Sequence, residues 1–306
     1  MKERVVFELG SNFSSKWKKH RVSVFFALPF LTLFFIFVVI PVFTAVVISF
    51  TRYSILKPPE FVGMENYLRL FLKDEIFIGA LKFTLLFAII SAPLSMLACL
   101  MVAWMINDFP PLMRAVLTFI FYAPSLSGGA IAIWQLIFSG DSYGFANNAL
   151  MKLGIISEPV QWLSDTKHMF GILLLVTLWG SLGTGFLSYV AAFRGIDVSL
   201  YEAAAVDGIK NRVQELWYIT VPALRPQMLF SALISITGSF SVGAVSSALF
   251  GNPSPNYGAH TVVLHMEDYA NVRYELGMAC AMATVLFLLT VAANRLSAKF
   301  ISRIGQ

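Results

Sequence analysis

Charge is what this sequence has least of. Asp, Glu, Lys and Arg make up 13% of its 306 residues, against roughly a quarter in an ordinary soluble domain. Six long stretches, 22–51, 83–107, 115–140, 169–193, 226–250 and 276–294, hold none of these residues and no histidine. A soluble core cannot absorb apolar residues in runs of that length, whereas a bilayer can. Each run is long enough to cross a hydrocarbon layer about 30 Å thick as a helix. Backbone in hydrocarbon must satisfy its own hydrogen bonds, and a barrel would show short alternating strands instead, so the runs predict six membrane-spanning helices. Cysteine is equally scarce. Cys99 and Cys280 both fall inside apolar runs, which argues against a disulfide framework or a metal site. The spans also lack the clustered carboxylates, histidines and cysteines that a membrane-embedded enzyme needs, so no catalytic residue and no metal ligand is expected. The same lack weakens the alternative of an ion-coupled secondary carrier, although sodium held by carbonyls and hydroxyls keeps that alternative open.

What charge there is falls unevenly. The net charge of +5 could suggest nucleic acid, but 14 of the 22 lysines and arginines lie before the first run, after the last run and in the segments 108–114 and 194–225. Eight lie in the alternate segments. That asymmetry is a topology signal; it places both termini in the cytoplasm and excludes nucleic acid as a partner. The first run follows Lys16, Lys18, Lys19, His20 and Arg21. At about twice the length of a cleavable apolar region, it reads as a retained first helix. No linker and no internal repeat divides the chain, so the expectation is a cytoplasmic tail over 1–21 and one membrane domain over 22–306.

Several spans contain helix breakers: Pro29 and Pro41, Pro93, and Pro124 with Gly128 and Gly129. Bent helices near the midplane commonly line transport pathways. Depth and side-chain chemistry single out Tyr122, Trp179, Thr237 and Ser241 as candidates for touching a neutral hydroxylated substrate. The fifth run is rich in small residues, Ser231, Ala232, Ser235, Gly238, Ser239, Ser241, Gly243 and Ala244, which allow another helix to approach closely. Gly180 to Gly185 has glycines at intervals suggestive of a phosphate loop, but Phe186 and Leu187 stand where Lys and Ser/Thr would be required. Nucleotide hydrolysis would therefore belong to a separate chain.

The segment 197–226 reads DVSLYEAAAVDGIKNRVQELWYITVPALRP. Ser199 with Glu202 predicts a capping box, and Gly208 a left-handed C-terminal cap, so one short helix should lie between them. Asn211 with Gln214 can start a second helix through Leu216 and Trp217, with Pro222 forbidding continuation. The loop is expected to be a helical hairpin on the cytoplasmic side.

These residues resemble the EAA motif of binding-protein-dependent ABC importers, in which EAA is followed by Gly and then Ile-x-Leu-Pro. The matching positions are Glu202, Ala203, Ala204, Gly208 and Ile219 to Pro222; Tyr201 and Asp207 are similar to the carbohydrate branch of the family. The segment from Phe61 through Val62, Gly63 and Asn66 to Tyr67 resembles the FVG-x-x-NY segment of maltose-type sugar permeases, as does the end of the chain from Gly251 onward. The spacing from Gly208 to Ile219 is one residue longer than the usual pattern, and Val221 replaces Leu. The resemblance implies an all-α integral membrane fold of six helices with a cytoplasmic coupling hairpin, the type I ABC importer permease. It implies that Tyr201, Glu202, Ala203, Ala204, Asp207 and Gly208 meet a partner ATPase. It also implies a second homologous permease subunit, two ATP-binding subunits carrying Mg-ATP, and an extracytoplasmic solute-binding protein that delivers a sugar or oligosaccharide. An ABC permease for another solute, such as glycerol phosphate, shares the same loop.

Overall fold

The computed structural model describes residues 24–127 and 129–303. The expected tail over 1–21 and Gly128 lie outside the described residues. Helix α1 spans Val24–Ile48 and is followed by a short antiparallel hairpin, β1 Thr51–Ser54 and β2 Lys57–Phe61. This hairpin is the departure from an all-helical expectation. Helix α2 is Glu65–Leu72, and α3, Glu75–Asn107, runs unbroken through Pro93. At 33 residues it is about 50 Å long, enough to cross a hydrocarbon layer and project beyond it.

The third and fourth runs are each two helices. The third is α4 Pro111–Leu126 and α5 Ala130–Ile137, two separate helices. After the short α6, Phe145–Lys152, the fourth comprises α7 Thr166–Gly180 and α8 Thr184–Phe193, bent by 46°. Its break is the glycine-rich stretch 180–183, so those glycines serve helix geometry. A Cβ on Gly185 would lie 3.1 Å from the Ser231 hydroxyl, which is the close approach expected of small residues.

Next come α9 Val198–Val206 and α10 Arg212–Ala223, then α11 Arg225–Phe240, with an 80° bend between the last two. The fifth run, read from sequence as one span, breaks again at Ser241 and Val242 before α12, Gly243–Phe250. Helices α13 Val262–Asn271 and α14 Leu276–Ile301 complete the fold. Among the described residues, three helices are long and apolar enough to span alone, and counting each bent pair as one span gives six.

Prolines explain two irregular turns. Residues 35–39 and 216–220 are π-helical, and the prolines Pro41 and Pro222 follow each by two residues. A proline in a helix lacks the N–H and collides with the carbonyl four residues earlier. Widening the preceding turn moves those carbonyls aside, so the amide of Ile40 bonds to Phe35 O and that of Val221 to Leu216 O. Pro222 therefore does not end its helix, as the sequence suggested it would; the chain continues helically to Ala223 and turns at buried Leu224.

Packing is divided between the two ends of α3. Toward its C-terminal end, Cys99, Leu100 and Ala103 pack with Phe186 of α8, Leu216 and Val221 of α10, and Met228 of α11. Toward its N-terminal end, Phe77 and Ala80 pack with Tyr269 of α13 and Met282 of α14. Between them the hydroxyls of Ser91 and Ser239 bond at 2.7 Å, and Ser231, Ala232 and Ser239 are buried. In α1 the residues up to Thr44 are exposed in the isolated chain, as suits a helix facing lipid or another subunit.

Candidate functional site: the helical hairpin 197–226

The hairpin is built by local hydrogen bonds. Its first helix, α9, is capped by Asp197, whose carboxylate accepts the Ser199 amide at 3.0 Å. The amide and hydroxyl of Ser199 hold that carboxyl below the usual carboxylate range. The expected capping box on Ser199 is thus displaced by two residues, because an ionised carboxylate is the stronger acceptor and lies at the favourable end of the helix dipole. At the other end the Ile209 amide donates to Ala204 O at 3.0 Å and the Gly208 amide to Ala205 O at 3.3 Å, with Gly208 at φ +93°. This is the left-handed cap that Gly208 predicts. The second helix begins as expected: Asn211 Oδ1 accepts the Gln214 amide at 2.8 Å, and Gln214 Oε1 accepts the Lys210 amide at 3.0 Å.

The six residues expected at the ATPase contact divide into two sets. Glu202, Ala203, Asp207 and Gly208 are exposed. Ala204 is buried, and Tyr201 turns inward, its hydroxyl 3.0 Å from that of buried Thr220. Around the exposed set the hairpin carries a run of uncovered apolar side chains: Val198, Leu200, Val206, Val213, Trp217 and Tyr218. Val206 is 88% exposed. That surface can dock a partner.

Arg212 was not singled out by motif, yet it ties the hairpin to α3. It forms an ion pair with Asp108, and its guanidinium lies 5.3 Å from the centroid of the Trp104 ring. No sequence signal links positions so far apart.

The four candidate pathway residues are dispersed. Trp179, half-buried at the end of α7, meets Trp134 edge to face at 5.4 Å. Tyr122 is half-buried among the residues flanking Phe186. Thr237 is exposed on α11, and Ser241 is exposed at the break before α12. Among the described residues no hydrogen bond joins these four to one another. Trp134, which the sequence reading passed over, is the ring that Trp179 meets.

A second polar cluster lies at the far end of α3. Asp74 caps that helix by accepting the Phe77 amide at 2.9 Å. It also accepts the Tyr269 hydroxyl at 3.0 Å and faces His265 Nε2 at 3.0 Å. His265 Nδ1 in turn lies 3.2 Å from His260 Nε2. Burial would raise the Asp74 pKa, but its bonds to His265, Phe77 and Tyr269 hold it below the usual carboxylate range. Burial, reinforced by His265, pushes the His260 imidazole down to about 4. No group of three or more potential metal ligands occurs among the described residues.

Residues 100–306 match the family model of binding-protein-dependent transport system inner membrane components. The probable ABC transporter permease protein YesP of Bacillus subtilis is 30% identical over 86% of this chain and 85% of its own length. The arabinooligosaccharides transport system permease protein AraP of the same organism is 28% identical over 92% of this chain and 89% of its own. The structure of a bacterial alginate ABC transporter in complex with an alginate pentasaccharide-bound periplasmic protein superposes with a TM-score of 0.79. It covers 95% of this chain and 98% of that one at 23% identity, and so shares the fold. With a family match across two thirds of its length, enclosing both arms of the hairpin, the chain belongs to the inner-membrane components of binding-protein-dependent transport systems.

Proposed function

We propose that this chain is one of two permease subunits in an ATP-driven importer of a sugar or oligosaccharide. The observation that carries the reading is the hairpin's exposed set Glu202, Ala203, Asp207 and Gly208, ringed by uncovered apolar side chains and continuous through α10 with the 80° turn into α11. Such a surface suits a grip by an ATPase subunit, and movement of the gripped element would pass directly into a span. Two ATP-binding subunits would carry Mg-ATP, a second homologous permease would complete the pathway, and an extracytoplasmic binding protein would deliver solute. Both termini and the hairpin would lie in the cytoplasm, in keeping with the lysine and arginine distribution. The oligosaccharide named for AraP and the uncharged spans favour a neutral hydroxylated substrate. Tyr122, Trp179, Thr237 and Ser241 are its proposed contacts.

The test is uptake in vesicles holding the full assembly with ATP and binding protein. Oligosaccharide should accumulate only when the ATPases are present and ATP is inside. Uptake of glycerol phosphate in place of sugar would replace the substrate class. Accumulation by this chain alone under an ion gradient would overturn the reading.

A further inference from the structure

The ion pair between Arg212 and Asp108 joins two helix ends whose charges stand against their own dipoles. Asp108 follows the last residue of α3, a helix C-terminus, where an acid is disfavoured. Arg212 is the first residue of α10, a helix N-terminus, where a base is disfavoured. Each residue is in an unfavourable place alone and is satisfied when the two ends face each other. The Arg212 guanidinium also lies over the indole of Trp104 at 5.3 Å, one turn back along α3, so its plane is held as well as its charge. Side-chain exposures of 53% and 45% mark a pair that adds little to the stability of the fold. Below it, Leu216 and Val221 of α10 pack against Leu100 and Ala103 of α3.

We propose that Arg212 is a positioning residue for transport, a tie through Asp108 and Trp104 that carries displacement of the coupling hairpin into α3, in parallel with the bend that carries it into α11. The inference rests on the proposed coupling role of the hairpin. Without the tie, the hairpin can rock on its apolar base when gripped, and ATP hydrolysis proceeds without moving α3.

The experiment uses the complete importer in vesicles and compares Arg212→Asp, Asp108→Arg and the double exchange, with ATP hydrolysis and solute uptake measured on the same samples. Arg212→Asp should leave the assembly intact and hydrolysis within about twofold of normal while uptake falls about tenfold. The double exchange should recover most of the uptake. Arg212→Lys, which keeps the charge and loses the planar contact with Trp104, should fall between. Normal uptake by Arg212→Asp, or a double exchange no better than the single variants, would overturn the proposal. So would hydrolysis lost in step with uptake, because that is failed docking. Gly208→Asp serves as reference: if it too transports normally the coupling assignment itself fails, and if it alone blocks uptake only the Arg212 tie does.

Discussion

The Tyr201 hydroxyl and the Thr220 hydroxyl, nineteen residues apart, bond at 3.0 Å and fasten one arm of the hairpin to the other. Thr220 is the last residue of the π-helical turn ahead of Pro222 and is buried. The bond therefore reaches from α9, which offers the exposed surface, to the irregular turn that precedes the bend into α11. Tyr201→Phe would leave the Thr220 hydroxyl buried without its partner, at a cost of about 1–3 kcal/mol. The expected outcome is normal membrane insertion with uptake reduced severalfold. Thr220→Val should do the same, and the double variant should lose no more than either alone, since both remove one interaction. Additive losses in that cycle would show that the two hydroxyls act separately.

Gly208 combines two requirements that different substitutions can separate. Its φ of +93° favours a residue without a Cβ, and a non-glycine residue there costs about 1–2 kcal/mol. Within the chain a Cβ at this position meets nothing within 4 Å, so any steric penalty must come from a partner. Gly208→Asn tolerates the left-handed conformation and Gly208→Ala does not. If backbone conformation alone matters, Asn should transport better than Ala. If close docking matters, Asn and Asp should both abolish uptake while Ala retains part of it. The second order is expected, as measured by ATP-driven uptake with the amount of inserted protein held equal.

How much of this was legible beforehand follows from which signals are local. Absence of charge over long runs gave the spans, and Gly208, Asn211 and Gln214 gave the hairpin, because caps are written in three or four neighbouring residues. The breaks at Gly180–Gly183 and at Ser241 were not legible, since apolar composition continues through them and the bend is set by packing. Pro222 was misjudged for a related reason: a proline's effect depends on whether the turn before it can widen. Tyr201 belongs to the motif, but its inward direction depends on where Thr220 lies, nineteen residues away. Arg212 with Asp108, and Trp134 with Trp179, are pairings between distant segments that a single sequence does not encode in any periodic form.

The cluster at the far end of α3 makes local stability sensitive to acid. His260 is buried and its imidazole is pushed down to about 4 from 6.5, by burial and by His265. Its folded value is below its unfolded value, so the unfolded chain binds more protons between those two limits. Stability is therefore fully present above about pH 6.5 and falls as the pH drops toward about 4. The expected loss from pH 7 to pH 5 is about 2 kcal/mol for the 260–271 segment. Asp74, held low mainly against its own burial by His265, adds a further loss only at more acidic pH, as its depressed value is reached. The protection factors of α13 amides, taken against the intrinsic exchange rate at each pH, should fall accordingly at pH 5, and His260→Asn should flatten the dependence. An unchanged profile in that variant would rule His260 out as its source.

Asn147 ties down the segment between α5 and α7. Its side chain is fully buried. Its amide nitrogen lies 3.1 Å from Ser139 O, 3.0 Å from Asp141 O and 3.1 Å from Val160 O. Its oxygen accepts the Val160 amide at 3.1 Å and the Trp162 indole N–H at 2.7 Å. One side chain thus closes the connection between α5 and α7 on both sides of α6. Trp162, so placed, packs against Phe138 at 5.9 Å and His168 at 5.1 Å. Asn147→Leu keeps the branched shape and removes every one of these bonds, leaving half-buried carbonyls and N–H groups without this partner at a cost of about 1–3 kcal/mol. Tryptic cleavage at exposed Lys152 should then accelerate at least about tenfold, because local opening limits access to that site. Trp162→Phe, which removes one bond and keeps the ring packing, should accelerate cleavage far less. Cleavage at the normal rate in Asn147→Leu would mean that apolar contacts of the rings, and not this amide, hold the loop.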